Sequence, residues 1–480
     1  MKKSVIKSKT DPSLIAKAGL WYTICNFVFK GMVFFTVPIF TRVLSKKELG
    51  KFSNYSSIIL VVLVLTSLDL YTSIIRSKVE HEEDIDSYIL SILSFSTLFT
   101  VGIYAVCFFY KASIEQLIGL EFKYINLMFL YCLFAPAYTM YITKQRAFYK
   151  YKKFVLFTAI TTVTSTLLSL FLVINMKDKL WGRSIGQYLP SIIMGIILFI
   201  VIIKNGHRIN IKYWKYALFI CVPLVPHTLS VTLLSASDRF LITKISGPEI
   251  TAIYSVAGSC YSIVAVLMNS MNTAWTPWLF DNLKINNYDG IKEISKKYII
   301  FFWFCAFGIM LIGPELILFF GGNKYMEAVY CLNPLITSTV IQFIYLFYVN
   351  IEFYTKKTVG VSIATFISAI INIILNYIFI NLFKENGHIV AAYTTLIGYI
   401  VLLYSHYTIT KILKMDHVLD NKFFFKLSSF SLIISIFTNF LYTYSLLRYP
   451  VLIVYLVFFV YMVIKNKDKI LRFFVKKRTR

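Results

Sequence analysis

Stretches of about twenty mostly apolar residues recur from residue 16 to residue 464, separated only by short polar breaks. This recurrence constrains the chain more than any other feature. In hydrocarbon, every backbone N–H and C=O must be satisfied within the protein, and for apolar segments of this length the structure that does so is a helix. No break is long enough to hold a separate soluble domain. Fourteen candidate spans result, at 16–41, 50–75, 87–110, 120–143, 154–174, 181–203, 214–243, 250–280, 298–320, 326–350, 359–383, 388–410, 427–444 and 449–464. The expected fold is an all-α polytopic membrane protein with about 14 transmembrane helices. Residues 1–15 are basic and the first apolar run lacks a small-residue cleavage site, so that run is expected to be a retained helix.

Charge sets the orientation. The formal net charge is +26, but only 15% of residues are charged and the charges fall between apolar stretches. The excess therefore reads as membrane topology and not as a nucleic-acid surface. With a cytoplasmic N-terminus and alternating sides, 34 of the 49 Lys and Arg fall on cytoplasmic segments and 13 on the other side, with Lys30 and Arg239 inside spans. Both termini are expected in the cytoplasm. Arg42, Lys46, Lys47 and Lys51, in the first outer loop, run against this pattern. The seven cysteines all lie in apolar stretches without a CxxC pair, as packing residues do.

Two short echoes suggest an internal repeat. Thr41-Arg42-Val43-Leu44, Gly50 and Tyr55-Ser56 match Asp238-Arg239-Phe240-Leu241, Gly247 and Tyr254-Ser255, with an Arg-to-Gly spacing of eight in both. Phe148-Tyr149 with Lys152-Lys153 matches Phe353-Tyr354 with Lys356-Lys357. The expected organisation is a six-helix bundle over 1–205 and a second over 206–412, related by a pseudo-two-fold along the membrane normal. Two additional helices and a basic cytoplasmic tail follow over 413–480.

Catalytic motifs are missing. There is no GxxxxGK[ST] loop and no GxSxG. His81-Glu82 opens like HExxH, but position 85 is Ile. Asp84-Ile85-Asp86 is a DxD without a domain around it, as expected of a solvated loop. No cofactor, no metal and no enzymatic activity are expected. The outer loops are too short for the catalytic loop of a polymerase.

What remains is polar side chains inside helices, which at the bilayer centre cost roughly 2.5–3.5 kcal/mol when charged and face protein or water. Thr23, Asn26 and Lys30 share a helix face. Lys30 either lines a cavity or is a buried structural charge. Asp69 and His227 are the candidates for ion coupling, His227 because imidazole titrates near neutral pH; the alternative for Asp69 is a pair with Lys30. Asp238 and Arg239 are adjacent and so face different partners, and with Arg42 they are candidates for a structural clamp at the repeat boundary. Asn269 and Asn272 on one helix, and Asn372 and Asn376 on another, lie in hydroxyl and amide stripes. Such stripes serve either as helix glue or as walls for a sugar.

Residues 36–56 resemble the end of the first helix of bacterial polysaccharide flippases, and residues 223–255, with Asp-Arg-Phe-Leu-Ile at 238–242, resemble a later segment. Thr355-Lys356-Lys357-Thr358, Asn372, Leu375-Asn376, Gly387, Ala391-Ala392 and Thr394-Thr395 are similar to that family's eleventh and twelfth helices. The resemblance covers roughly residues 12–412. The family is the O-antigen and capsule oligosaccharide translocases of the multidrug/oligosaccharidyl-lipid/polysaccharide exporter superfamily. The resemblance implies two six-helix bundles around a cavity open alternately to each side of the cytoplasmic (inner) membrane. It implies a cargo of oligosaccharide units on undecaprenyl diphosphate, flipped for lipopolysaccharide or capsule synthesis among membrane lipids. A polysaccharide polymerase and a chain-length regulator are the implied partners. A diphosphate needs cationic partners at low dielectric, and Lys30 is the best-placed candidate. A cation-coupled drug exporter of the same fold is the alternative, and would favour acidic residues deep in the cavity.

Overall fold

The computed structural model describes residues 31–32, 36–355, 357 and 359–465. All regular structure among these residues is helical. Helices α1 (Lys46–Ser67), α2 (Ile74–Glu80), α3 (Ile85–Phe109), α4 (Lys111–Ile118), α5 (Phe122–Ala147), α6 (Tyr151–Asn175) and α7 (Lys179–Asn205) come first. They are followed by α8 (Ile211–Cys221), α9 (Val225–Ile245), α10 (Pro248–Lys284), α11 (Tyr288–Leu311) and α12 (Gly313–Gly321). The last are α13 (Val329–Tyr354), α14 (Val359–Leu382), α15 (Gly387–Ile412), α16 (Asn421–Thr443) and α17 (Ser445–Lys465).

Twelve helices among the described residues are long and apolar enough to cross a membrane, and a shorter apolar helix covers Leu446–Tyr461. These match thirteen of the fourteen expected spans. The expected span 16–41 lies mostly outside the described residues. Large apolar side chains such as Phe109, Phe219 and Leu446 are more than 80% exposed, as on a surface meant for lipid. The six described cysteines are free.

Three spans expected to be continuous are broken. The helix expected over 50–75 stops at Ser67, and Leu68 and Asp69 both adopt left-handed backbone (φ 46° and 48°) before a 3-10 turn at Leu70–Ser73. The span over 214–243 breaks at Val222–Leu224, where Pro223 and Pro226 withhold N–H donors from the helix ladder. The span over 298–320 breaks between Leu311 and Gly313, just before Pro314.

The chain forms two compact units. The first comprises residues 1–255 and 357–398. In it α9 packs on both α1 and α14, and α7 packs on α5 and α6. Tyr55 anchors the α1–α5–α7 core: its hydroxyl donates to the Tyr124 carbonyl (2.7 Å), and its ring meets those of Tyr124 and Tyr188 edge-on at 5.7 and 5.8 Å. Gly186 permits the α6–α7 approach, since a Cβ there would lie 2.3 Å from Ser169 Cα. The two segments of the first echo meet within this unit. A Cβ on Gly50 would lie 1.6 Å from the Pro248 carbonyl oxygen, and the Ser53 and Ser255 hydroxyls are 2.5 Å apart.

The second unit comprises residues 256–356 and 399–480. Its centre is α13, most of whose side chains are buried, polar ones such as Asn333, Asn350 and Glu352 included. Phe343 and Phe347 of α13 meet Phe302, Trp275 and Phe424 at centroid distances of 4.7, 4.7 and 5.6 Å. Arg448 closes one end with a two-pronged bond to Glu315 (2.6 Å each) and a third to the Leu311 carbonyl (2.8 Å).

Candidate functional site

The break in the first unit has a physical consequence. A left-handed residue other than glycine costs roughly 1–2 kcal/mol. Irregular backbone at membrane depth survives only where protein or a wet cavity surrounds it. Leu68 and Asp69 meet that condition. Asp69 lies on the wall of a cavity of about 320 Å³ enclosed by residues of α1, α5 and α9. Asp69 Oδ2 is buried without a hydrogen-bond partner among the described residues, and Thr228 of α9 stands beside the carboxyl group. Thr139, Thr228, Thr232 and Ser235 also line this cavity. Each hydroxyl donates to a carbonyl of its own helix, at 3.1, 3.3, 2.8 and 3.0 Å. The Thr228 hydroxyl also lies within hydrogen-bonding reach of the Asp69 carboxyl group, whereas the other three hydrogens are committed to backbone and leave lone pairs facing inward. Among the described residues, no lysine or arginine lines the cavity. A buried carboxylate with one oxygen lacking a partner among the described residues suits a proton or a small cation and repels a phosphate. His227 is half-buried in the first turn of α9, next to Thr228, and not midway along a continuous helix as expected.

Asp238 is also buried, but its surroundings are the opposite. Oδ1 accepts from Asn376 Nδ2 (2.6 Å), and Oδ2 accepts from the Tyr254 hydroxyl (2.5 Å) and the Thr395 hydroxyl (2.8 Å). Asn376 accepts in turn from Thr394 and donates to Asn372 Oδ1 (3.2 Å). The structure thus brings Asp238, Asn372 and Asn376 together in one sealed cluster where α9, α14 and the starts of α10 and α15 contribute side chains. Arg239 points elsewhere, as expected of a helix neighbour: it donates to the Ser235 carbonyl (3.2 Å) and lies 6.0 Å from the Tyr254 ring centroid. Arg42 is exposed and donates to the Pro38 carbonyl (2.7 Å).

In the second unit Asn272 accepts from Asn350 (2.9 Å), whose oxygen accepts from Thr276 (3.2 Å). Asn269 is exposed and donates to the Ala265 carbonyl (2.8 Å). Thr23, Asn26 and Lys30 lie outside the described residues. The DxD is absorbed by packing: Asp84 accepts from the Tyr213 hydroxyl (2.7 Å) and Asp86 from Lys144.

Two features escaped the sequence reading. Glu352 and His406 are wholly buried and bonded to each other, Nδ1 to Oε1 at 2.9 Å. His406 falls inside the expected span 388–410, where a titratable group was a visible signal. Arg183, two residues inside its span, donates to Ser169 (2.8 Å) and Gln187 (3.0 Å) and stacks between Phe40 and Phe52, at 3.8 and 4.4 Å from the ring centroids. Proximity to a loop disguised it as a flanking charge.

A family model described as "Polysaccharide biosynthesis protein" matches residues 15–283, more than half of the chain. The chain belongs to this polysaccharide biosynthesis protein family. A second model, MatE, matches residues 223–378. Together they make this polysaccharide biosynthesis protein a transporter of the multidrug/oligosaccharidyl-lipid/polysaccharide exporter superfamily. An uncharacterized membrane protein of Haemophilus influenzae is 22% identical over 376 residues, covering 75% of this chain and 88% of its own. The fold is similar to that of the lipid II flippase MurJ in its inward closed conformation (TM-score 0.73, 18% identity, covering 94% of this chain and 100% of that one). It is also similar to an inward-facing multidrug resistance transporter of the MATE family (TM-score 0.62, 13% identity, 82% and 95% covered).

Proposed function

We propose that the protein flips oligosaccharide units linked to undecaprenyl diphosphate across the cytoplasmic membrane by alternating access, for O-antigen or capsule synthesis. The observation that carries this reading is the polysaccharide-family match over residues 15–283. The expected organisation goes with it: bundles over 1–205 and 206–412, two further helices over 413–480, and both termini in the cytoplasm. Partners of this reading are a polysaccharide polymerase and a chain-length regulator. Lys30, by this reading, meets the diphosphate. Asp69 is the coupling group, because a buried carboxylate with an oxygen that lacks a partner among the described residues can take up and release a cation as the cavity opens and closes.

The test is the leaflet in which lipid-linked sugar units accumulate in a strain lacking the gene, measured in inside-out and right-side-out vesicles. Accumulation on the cytoplasmic face, reversed by the gene, supports flipping. Normal delivery to the outer face refutes it. One observation favours a second reading, a cation-coupled drug exporter: among the described residues, the Asp69 cavity carries a carboxylate and no cation in its lining. Resistance to cationic compounds that depends on the gene, with normal sugar delivery, would select that reading.

A further inference from the structure

The basic cluster that contradicts the charge pattern opens onto a second feature of the first unit. Lys47 and Lys51 line a cleft of about 550 Å³ together with Glu48, Glu115, Glu121 and Asp178. Beside it runs an open groove of about 600 Å³ among α3, α5 and α7, walled by apolar side chains that include Val101 and Leu130. Both of these are over 40% exposed on the lipid-facing surface. Lys123 stands where the two meet. It lines the groove, while its ammonium lies 2.9 Å from Asp178 and 3.1 Å from Glu121 of the cleft. The rings of Tyr124, in the cleft, and Trp181, in the groove, are 5.1 Å apart and both flank that ammonium, at 5.3 and 5.5 Å.

A charged cleft continuous with an apolar groove, joined by tyrosine, tryptophan and lysine, has the polarity profile of one lipid molecule at a membrane interface. The charge balance selects the headgroup. The cleft with Lys123 holds four carboxylates against three ammonium groups, so a headgroup of net negative charge meets a rim of its own sign. Burial alone would raise the Asp178 carboxyl, but the Trp181 N–H and the Lys123 ammonium hold it below its ordinary value, and it stays ionised at neutral pH. We propose that cleft and groove form a selective site for an aminophospholipid, its acyl chain in the groove, its phosphate on Lys123 and its primary ammonium on Asp178 and Glu121. A choline headgroup has no N–H to give those carboxylates, and is excluded by the same geometry.

The full chain in phosphatidylcholine vesicles tests this through the fluorescence of Trp181. Phosphatidylethanolamine with dibrominated chains should quench it at a lower mole fraction than dibrominated phosphatidylglycerol. Trp181→Phe identifies the signal that belongs to the groove. Asp178→Asn keeps the oxygen that accepts the Trp181 N–H (3.0 Å) but removes the charge, so folding is preserved and the preference should fall by about threefold. Filling the groove with Val101→Phe and Leu130→Phe should abolish Trp181 quenching by either lipid at low mole fraction. Equal quenching by both lipids would reduce the groove to ordinary annular contact and overturn the proposal. Stronger quenching by phosphatidylglycerol, or an unchanged preference in Asp178→Asn, would overturn it as well, in favour of an anionic ligand.

Discussion

Asp69 and Asp238 are both buried aspartates of the same unit, 6% and 1% exposed, and their surroundings differ in every other respect. Asp238 accepts three hydrogen bonds from three side chains on three helices. Asp69 has an oxygen without a partner among the described residues, sits in left-handed backbone and faces a cavity. A saturated carboxylate ties helices together and gains nothing from a further ligand. An unsaturated one is held in place at a cost in stability, and regains that cost only when something binds. Burial of a charge in a membrane protein is therefore ambiguous until its partners are counted.

Mutations can break this comparison. Asp238→Ala should be the most damaging, costing about 3 kcal/mol, because it leaves Tyr254, Asn376 and Thr395 with unpaired donors in a sealed site. Thermal unfolding of the purified chain in detergent measures it. Tyr254→Phe removes one of the three donors and should cost about 1 kcal/mol in the same assay. Asp69→Asn should leave the unfolding midpoint unchanged or raise it, by less than about 1 kcal/mol, since it removes a buried charge whose Oδ2 lacks a partner among the described residues. If Asp69→Asn proved as damaging as Asp238→Ala, the contrast would collapse.

Asp420 is the control outside the membrane. Lys296, 2.5 Å away, and the Phe423 N–H hold its carboxyl below the usual range. Because the folded pKa is depressed, this stabilisation is present above the unfolded value of about 4 and is lost as pH falls through the folded value. Asp420→Asn should therefore lower stability slightly at pH 7, flatten the acid limb below about pH 4, and make no difference once pH is below the folded value. It is the smallest of the four effects, because the pair is partly exposed.

The fold was legible because the membrane imposes one requirement, apolar length, and that requirement is written locally. Proline explained two of the three helix breaks after the fact, at Pro223 and Pro314. Nothing in Leu-Thr-Ser-Leu-Asp-Leu announces the break at 68–69, and the cavity that accommodates it is lined by α5 and α9, which lie far off in sequence. The site was legible only as a set of polar residues. That Asn376, itself bonded to Asn372, meets Asp238, 138 positions away, depends on how α9 and α14 pack. The Glu352–His406 pair joins residues 54 apart for the same reason. Periodicity places a side chain on a face, but it does not say which helix the face meets.

The most direct test of the account is transport by Asp69→Asn in proteoliposomes loaded with undecaprenyl-diphosphate-linked oligosaccharide, with a proton or sodium gradient imposed. The account predicts that the wild-type chain accelerates flipping when the gradient is applied, and that Asp69→Asn folds normally but does not respond. A variant that responds to the gradient as the wild type does would contradict the assignment of Asp69 as the coupling group.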